Sequence, residues 1–333
     1  MKTRFLIIRF SSIGDIILTT PVIRGLKQQV EDAEIHFVTK AKYVPLLKAN
    51  PWIDQIHVLD DKITPLLEIL EKEEIDYVID LHHNIRSGQV KRRLNVPAFS
   101  FSKLNFEKWL MVNFKVNRLP HKHIVDRYLE TVSVFDIAND GKGLDYFIPE
   151  GEGFDIRKLP PNFLSGYIAF VIGGTYATKR LPVDTILEIC SKIPFPVVLL
   201  GGHHEEETGQ RIAESHKGKV INLAGKTTIN ESASLIQRAE LVLTNDTGLM
   251  HIAAALGKKI LSFWGNTIPE FGMSPYQPDP ESKILQVDGL KCRPCSKLGF
   301  EKCPKKHFRC MNDIPTDQAV HWIMKNFKTV QAD

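Results

Sequence analysis

The sequence predicts an α/β protein built from two doubly wound, parallel-sheet domains that face a central cleft. Three observations carry this expectation. The chain has 333 residues, more than one hydrophobic core usually covers. Short apolar segments alternate with amphipathic helical segments over residues 5–81 and again over residues 167–263. Such alternation gives parallel strands with helices on both faces. Between the two runs, residues 140–161 are rich in Gly, Pro and charge, the composition of a linker. The expected division is an N-terminal domain over residues 1–150, a second domain over 151–315, and a closing segment over 316–333.

The elements follow in order. Residues 5–10 read as a buried strand, and Ser11-Ser12-Ile13-Gly14 as a turn. Residues 15–30 have helical spacing, with Pro21 as a possible kink in the early turns. Strands are expected over 34–39, 55–59 and 76–81. A helix over 64–73 has Thr64 as N-cap and Pro65 at its first position. Helices are expected near 102–114 and 123–135. In the second half, strands are expected over 167–172, 196–200, 241–244 and 259–263. Helices are expected over 182–192, 205–216, 230–238, 246–256 and 316–327.

Composition excludes several classes. Hydrophobic residues make up 43% and charged residues 25%, ordinary globular values. Arg9 interrupts the apolar run Phe5–Ile8 and no small-residue cleavage pattern follows, so no secretory signal is read. No stretch approaches the roughly 18 apolar residues of a membrane span. The expectation is a cytoplasmic protein whose membrane contact is peripheral. Net charge is +4, and its distribution matters more than its size. Arg86, Lys91, Arg92, Arg93, Lys103, Lys108, Lys115, Arg118 and Lys122 lie in a stretch whose one acid is Glu107. That stretch is either a solvated face or a site for an anionic partner. No recognised nucleic-acid-binding motif is present.

Four motifs carry candidate chemistry. Ser11-Ser12-Ile13-Gly14-Asp15 leads from a strand into a helix. It lacks the glycines of a dinucleotide fingerprint, so no nicotinamide cofactor is expected. Asp15 is either a plain first-turn acid that complements the helix dipole or a general base. Gly173-Gly174-Thr175-Tyr176-Ala177-Thr178-Lys179-Arg180 follows the next domain's first strand. Its glycines, hydroxyls and cations suit a diphosphate, without the spacing of an ATPase loop. Gly201-Gly202-His203-His204-Glu205 places an acid at a helix start. Glu205 there grips sugar hydroxyls or serves the helix dipole alone. Asn245-Asp246-Thr247-Gly248-Leu249-Met250-His251 opens a helix of small residues. Backbone amides at such a start bind phosphate. Asp246 either caps that helix or holds a sugar hydroxyl, and His251 on its own reads as a structural histidine.

In this order, these motifs resemble glycosyltransferase family 9, the lipopolysaccharide heptosyltransferases, over nearly the whole chain. The most specific parts are Ser11–Asp15 and Asn245–His251, with Phe263-Trp264-Gly265-Asn266-Thr267 in support. The resemblance implies a GT-B fold, with the closing helix over 316–333 packing back toward the first domain, and inverting transfer from ADP-heptose to the inner core of lipopolysaccharide, on its Kdo–lipid A side, at the cytoplasmic face of the inner membrane. It implies Asp15 as general base. It implies a donor site of Thr175, Lys179, Gly201, Gly202, Glu205, Asp246, Thr247, Gly248 and His251. On the acceptor side it implies Ser11, Ser12, Gly14, Arg86, Arg92 and Arg127. The basic stretch would then hold an anionic glycolipid, and Phe99, Phe101, Phe106, Trp109, Leu110 and Met111 are either core or bilayer contacts. No cofactor or metal is expected. The alternatives are a family 9 enzyme with another nucleotide sugar or acceptor, and a nucleotide-sugar epimerase.

Cys190 sits alone in an apolar helical pattern, while Cys292, Cys295, Cys303 and Cys310 are clustered with His307 near them. The cluster is read as free or structural thiols, with a structural zinc site as the alternative.

Overall fold

The computed structural model describes residues 2–328. Residue 1 and residues 329–333, the end of the expected closing segment, lie outside the described residues. The chain forms two compact units. Among the described residues, the first comprises residues 2–104 and 121–149, the second residues 105–120 and 150–328.

The first unit is a five-stranded sheet of order β3-β2-β1-β4-β5, parallel throughout. Its strands are β1 (Thr3–Ile8), β2 (Ala33–Thr39), β3 (Gln55–Val58), β4 (Tyr77–Asp80) and β5 (Ala98–Ser100). Helices α1 (Ile13–Ile17), α2 (Thr20–Gln29), α3 (Thr64–Leu70), α4 (Ile85–Leu94) and α6 (Ile124–Glu130) cover it. Phe5, Leu6, Ile7 and Ile8 are fully buried, as expected of a central strand covered on both faces. The helix expected over 15–30 is two helices. Leu18 and Thr19 separate them, and Pro21 sits in the first turn of α2, where its missing N–H costs nothing. Thr64 does not cap α3; Ile63 is the N-cap and Thr64 lies inside the helix.

The second unit is a six-stranded parallel sheet of order β11-β10-β9-β6-β7-β8. Its strands are β6 (Ile168–Val171), β7 (Val197–Leu200), β8 (Val220–Asn222), β9 (Leu241–Asn245), β10 (Ile260–Trp264) and β11 (Lys283–Gln286). Helices α5 (Asn105–Phe114), α7 (Val183–Lys192), α8 (Glu206–Ser215), α9 (Ile229–Arg238), α10 (Gly248–Ala255), α11 (Arg309–Asn312) and α12 (Thr316–Asn326) complete it. The closing helix α12 buries Ala319, Trp322 and Ile323 in this unit's own core beside Ile189, Cys190 and Ile193. Burying side chains of that size contributes about 1.5–3 kcal/mol each.

The basic stretch divides. Residues 105–120 belong to the second unit, so α5 is not part of the first domain in which it was expected. Lys115 Nζ donates to the carbonyl of Pro294 at 2.6 Å, and Lys108 lies over the Phe271 ring at 5.9 Å. The linker segment is anchored at both ends. Arg24, buried in α2, holds Asp140 at 2.7 Å and pairs with Asp145. Further on, the Phe154 amide donates to Ser234 Oγ at 2.7 Å. Among the described residues, no helix is long and apolar enough to cross a membrane.

Candidate active site

Doubly wound sheets bind ligands beyond the carboxyl ends of strands, where the strand order reverses. In the first unit the reversal falls between β1 and β4. Asp15 lies there, in the short helix that follows β1. Its carboxylate accepts from Ser12 Oγ at 2.7 Å and from the Ser12 amide at 3.2 Å. Its other oxygen pairs with Arg9 Nη2 at 2.5 Å. Arg9 is buried at the end of β1. It donates Nε to the Ser11 carbonyl at 2.8 Å and Nη1 to Tyr128 Oη at 3.0 Å and to the Leu81 carbonyl. The carboxylate is thus held from two sides with its side chain 23% exposed, open to a reactant. His82, just after β4, completes this end. Burial, helped by the Arg9 and Lys103 charges, pushes its imidazole down to about 4, so it is neutral at pH 7.

In the second unit the reversal falls between β6 and β9, and the two loops that leave these strands meet. Lys179, after β6, places Nζ 2.5 Å from Oδ2 of Asp246, which directly follows β9. The same oxygen accepts from Thr267 Oγ1 at 2.9 Å, from the loop after β10. Asp246 therefore does not cap α10. Thr247 does so, accepting from the Leu249 amide at 3.2 Å, and Gly248 opens the helix. Asn245 ties the loops underneath, donating to the Ile172 and Gly173 carbonyls and accepting from the Leu181 amide. Glu205, buried after β7, accepts from Arg180 at 3.1 Å and from the Gly202 amide at 2.9 Å. A Cβ on Gly173 would stand 3.1 Å from this carboxylate, and one on Gly201 3.1 Å from its Cβ, so the close approach depends on both glycines.

The cysteine loop buttresses this arrangement. Thr178 Oγ1 exchanges hydrogen bonds with the Phe300 backbone, accepting at 2.8 Å and donating at 3.0 Å. Arg293 donates to the carbonyls of Gly265 and Thr267 at 2.6 and 2.8 Å. The five cysteines are free, without disulfides. Cys295 Sγ donates to the Cys292 carbonyl at 3.0 Å, and Cys292 Sγ lies 3.7 Å from His307 Nε2. Burial and the neighbouring Cys292 and Cys303 push the Cys295 thiol up to about 11. Burial, with Cys295 and Cys303, pushes Cys310 up to about 12. Among the described residues, the group whose ligand atoms converge for an ion is His36, His57 and Glu73. Arg293 also lines a cavity of about 530 Å³ with Met111, Lys115, Ile268, Glu270 and Asp288.

The expected residues fall into three groups. Ser11, Ser12, Gly14 and Asp15 share one turn, and Lys179, Asp246, Thr247 and Gly248 form one connected set. Gly201, Gly202 and Glu205 adjoin that set through Gly173 and Arg180, while Thr175 is exposed and His251 is buried. The arginines differ. Arg86 is exposed in the first turn of α4, at the carboxyl end of β4, whereas Arg92 lies six residues further along, about 9 Å down the helix axis. Arg127 is buried, with Nη1 donating to the Ser102 carbonyl at 3.2 Å and burial pushing its pKa down from the usual arginine range. Phe101 is core, while Phe106 and Trp109 are exposed. Sequence reasoning did not select Arg9, Thr267 or Arg293. The one available signal was Arg9 itself, a charge closing an otherwise apolar strand.

Two doubly wound units, each with acids and cations gathered where its strand order reverses, give the architecture of a GT-B glycosyltransferase. The family model for glycosyltransferase family 9 (heptosyltransferase) matches residues 63–302, and the chain belongs to that family. A lipooligosaccharide heptosyltransferase 2 of Haemophilus influenzae is 35% identical over 321 residues, 88% of this chain and 92% of that protein. A lipopolysaccharide heptosyltransferase 1 of Campylobacter coli is 27% identical, covering 78% of this chain and 83% of its own length. Among solved structures, a family 9 glycosyltransferase of Veillonella parvula superposes with a TM-score of 0.76 at 23% identity, over 97% of this chain and 96% of that one. The E. coli ADP-heptose lps heptosyltransferase II does so with 0.73 at 21%, over 98% of each chain.

Proposed function

We propose that the protein transfers a heptose from ADP-heptose to the inner core of a lipid A-linked oligosaccharide, with inversion at the anomeric carbon. Membership of the heptosyltransferase family supports the reaction class, and the names of the relatives support the sugar and the acceptor. The observation that carries the donor site is the Lys179–Asp246 pair across the reversal between β6 and β9. Lys179 and the Gly248 end of α10 stabilise the charge that develops on the leaving ADP. Glu205 and Asp246 take sugar hydroxyls, each through carboxylate lone pairs left over from its contacts within the protein. Asp15 takes the proton of the acceptor hydroxyl as the new bond forms. Ser12 and Arg9 fix the carboxylate's orientation for that step. Diphosphate charge is met by Lys179 and backbone amides, so the proposed reaction uses no metal at the phosphates.

Phe106, Trp109 and Phe114 on α5 are 62%, 50% and 62% exposed and touch one another. With Lys108 on the same helix, this aromatic face suits the headgroup region of an anionic membrane, at the cytoplasmic face of the inner membrane in the proposed setting.

The test is ADP release by purified protein given ADP-heptose and a Kdo–lipid A acceptor. Acceptor-dependent release that falls at least about a hundredfold in Asp15→Ala, with donor binding retained, supports both the transfer and the base. Donor binding without release directs the search to another acceptor; no donor binding overturns the heptose assignment.

A further inference from the structure

We propose that His36, His57 and Glu73 form a binding site for one divalent transition-metal ion of the zinc class, on the outer strands of the first unit's sheet. The register makes the site. His36 on β2 stands beside Gln55 on β3, and Val38 beside His57. Side chains alternate along a strand, so His36, Gln55 and His57 share one face. Glu73, three residues past α3, completes the group, and one ligand atom from each of the three lies within 4.8 Å of the others.

The distances bracket those around an ion. His36 Nδ1 is 2.9 Å from His57 Nε2 and 4.0 Å from Glu73 Oε2. Zinc binds nitrogen and carboxylate oxygen at about 2.0–2.2 Å, which puts tetrahedral ligands about 3.3–3.5 Å apart. Shifts of about half an ångström reach that geometry. The surroundings match a metal site as well. A metal-bound histidine commonly donates its other N–H to a carboxylate. His36 Nε2 is buried without a hydrogen-bond partner, and Glu34 Oε1 faces it at 3.6 Å. The remaining oxygen of Glu73 is oriented by Gln55 Nε2 at 2.9 Å. His36 and His57 are 1% and 4% exposed. Glu73 is 24% exposed, so one of the three ligands faces solvent.

The site lies apart from Asp15. His36 pairs with Leu6, two residues before the end of β1, whereas Asp15 follows that end. A bound ion would clamp the edge strand β3 to β2 and to the end of α3. Its role is structural, and it needs no part of the transfer reaction.

Because the cysteine loop also carries metal-binding atoms, the probe is Co²⁺, whose spectrum separates nitrogen and oxygen ligands from sulfur. Chelator-treated full-length protein is titrated with Co²⁺ and then Zn²⁺, alongside the Glu73→Gln, His57→Gln and Cys292→Ser variants. One Co²⁺ per chain is expected, with ligand-field bands, no sulfur charge-transfer band, and displacement by Zn²⁺. Glu73→Gln, partly exposed and checked for native circular dichroism, weakens binding at least about tenfold. His57→Gln abolishes it, and Cys292→Ser leaves it unchanged. No uptake at millimolar Co²⁺ overturns the proposal. So does uptake undiminished in Glu73→Gln, or a sulfur band that vanishes in Cys292→Ser.

Discussion

Lys179 pairs with Asp246, and in the proposed reaction it also stabilises the departing diphosphate; one pair of substitutions separates the two roles. The perturbation is Lys179→Met, Asp246→Asn and the double variant. At the observed 2.5 Å, an effective dielectric constant near 20 gives a gross attraction of about 7 kcal/mol. Desolvation of two side chains that are only 18% and 10% exposed offsets most of it. A net coupling of about 1–3 kcal/mol remains, the range found for contacting pairs. Lys179→Met leaves the Asp246 carboxylate with Thr267 as its hydrogen-bonding side chain, and should lower the melting temperature by about 4–8 °C for a 2 kcal/mol loss in a domain of this size. Asp246→Asn keeps an acceptor for Thr267 and removes the charge. The double variant should recover much of the lost stability, because no uncompensated charge is left.

Activity should not follow stability. Removing a cation that stabilises developing charge costs about 10²–10³ in kcat. Lys179→Met and the double variant should both show that loss in ADP release, although only the single variant is strongly destabilised. Urea or thermal unfolding gives the stability cycle, and steady-state kinetics at saturating donor gives the other. Recovery of kcat in the double variant, in step with its stability, would refute the leaving-group role and leave Lys179 as a structural partner of Asp246.

Three further outcomes are expected. Arg9→Met should lower kcat about 10- to 100-fold while leaving donor affinity unchanged, since Arg9 orients Asp15 within the first unit and the proposed donor residues belong to the second; isothermal titration with ADP checks the second half. Cys190 and Cys310, both pushed up to about 12 chiefly by burial, should resist iodoacetamide at pH 8 in the folded protein and react once it is unfolded, as read by mass spectrometry. His82 is faced by Arg9, Lys103, Asp80 and Asp15, and its value of about 4 lies below that of the unfolded chain, near 6.5. The unfolded state therefore binds the extra proton between those values, so the stability contributed by neutral His82 is complete above about pH 6.5 and is lost as pH falls toward 4. His82→Gln should flatten the dependence of unfolding free energy on pH in that window.

The sheets were legible because buried parallel strands read as continuous apolar runs, as in Phe5–Ile8 and Val197–Leu200. Elements without that signal were missed. Helix α4 reads Ile-Arg-Ser-Gly-Gln-Val-Lys-Arg-Arg-Leu and buries only Ser87 and Val90, so its periodicity is faint. Its capping exchange between Asn84 and Ser87 is visible only once the backbone is folded. Strands β5 and β11 lie at sheet edges and are short and partly exposed.

The site was legible to the extent that chemistry sits in local turns. Ser12 and Asp15 are three residues apart, and their contact follows from helix geometry. Arg9 reaches Leu81 and Tyr128, 72 and 119 residues away, and in the sequence it is merely a charge that ends an apolar run. Asp246 illustrates the same limit. Its position favours a cap, but Thr247 caps instead, and Asp246 turns to Lys179 and Thr267, 67 and 21 residues distant. What joins these distant residues is strand order. A turn acquires neighbours according to which strands flank its own, and the order is set by crossover choices that no local pattern encodes. Once β1 is known to lie beside β4 and β6 beside β9, the turns that follow those strands become the places to look. Asp15, His82, Lys179 and Asp246 are the groups that stand there.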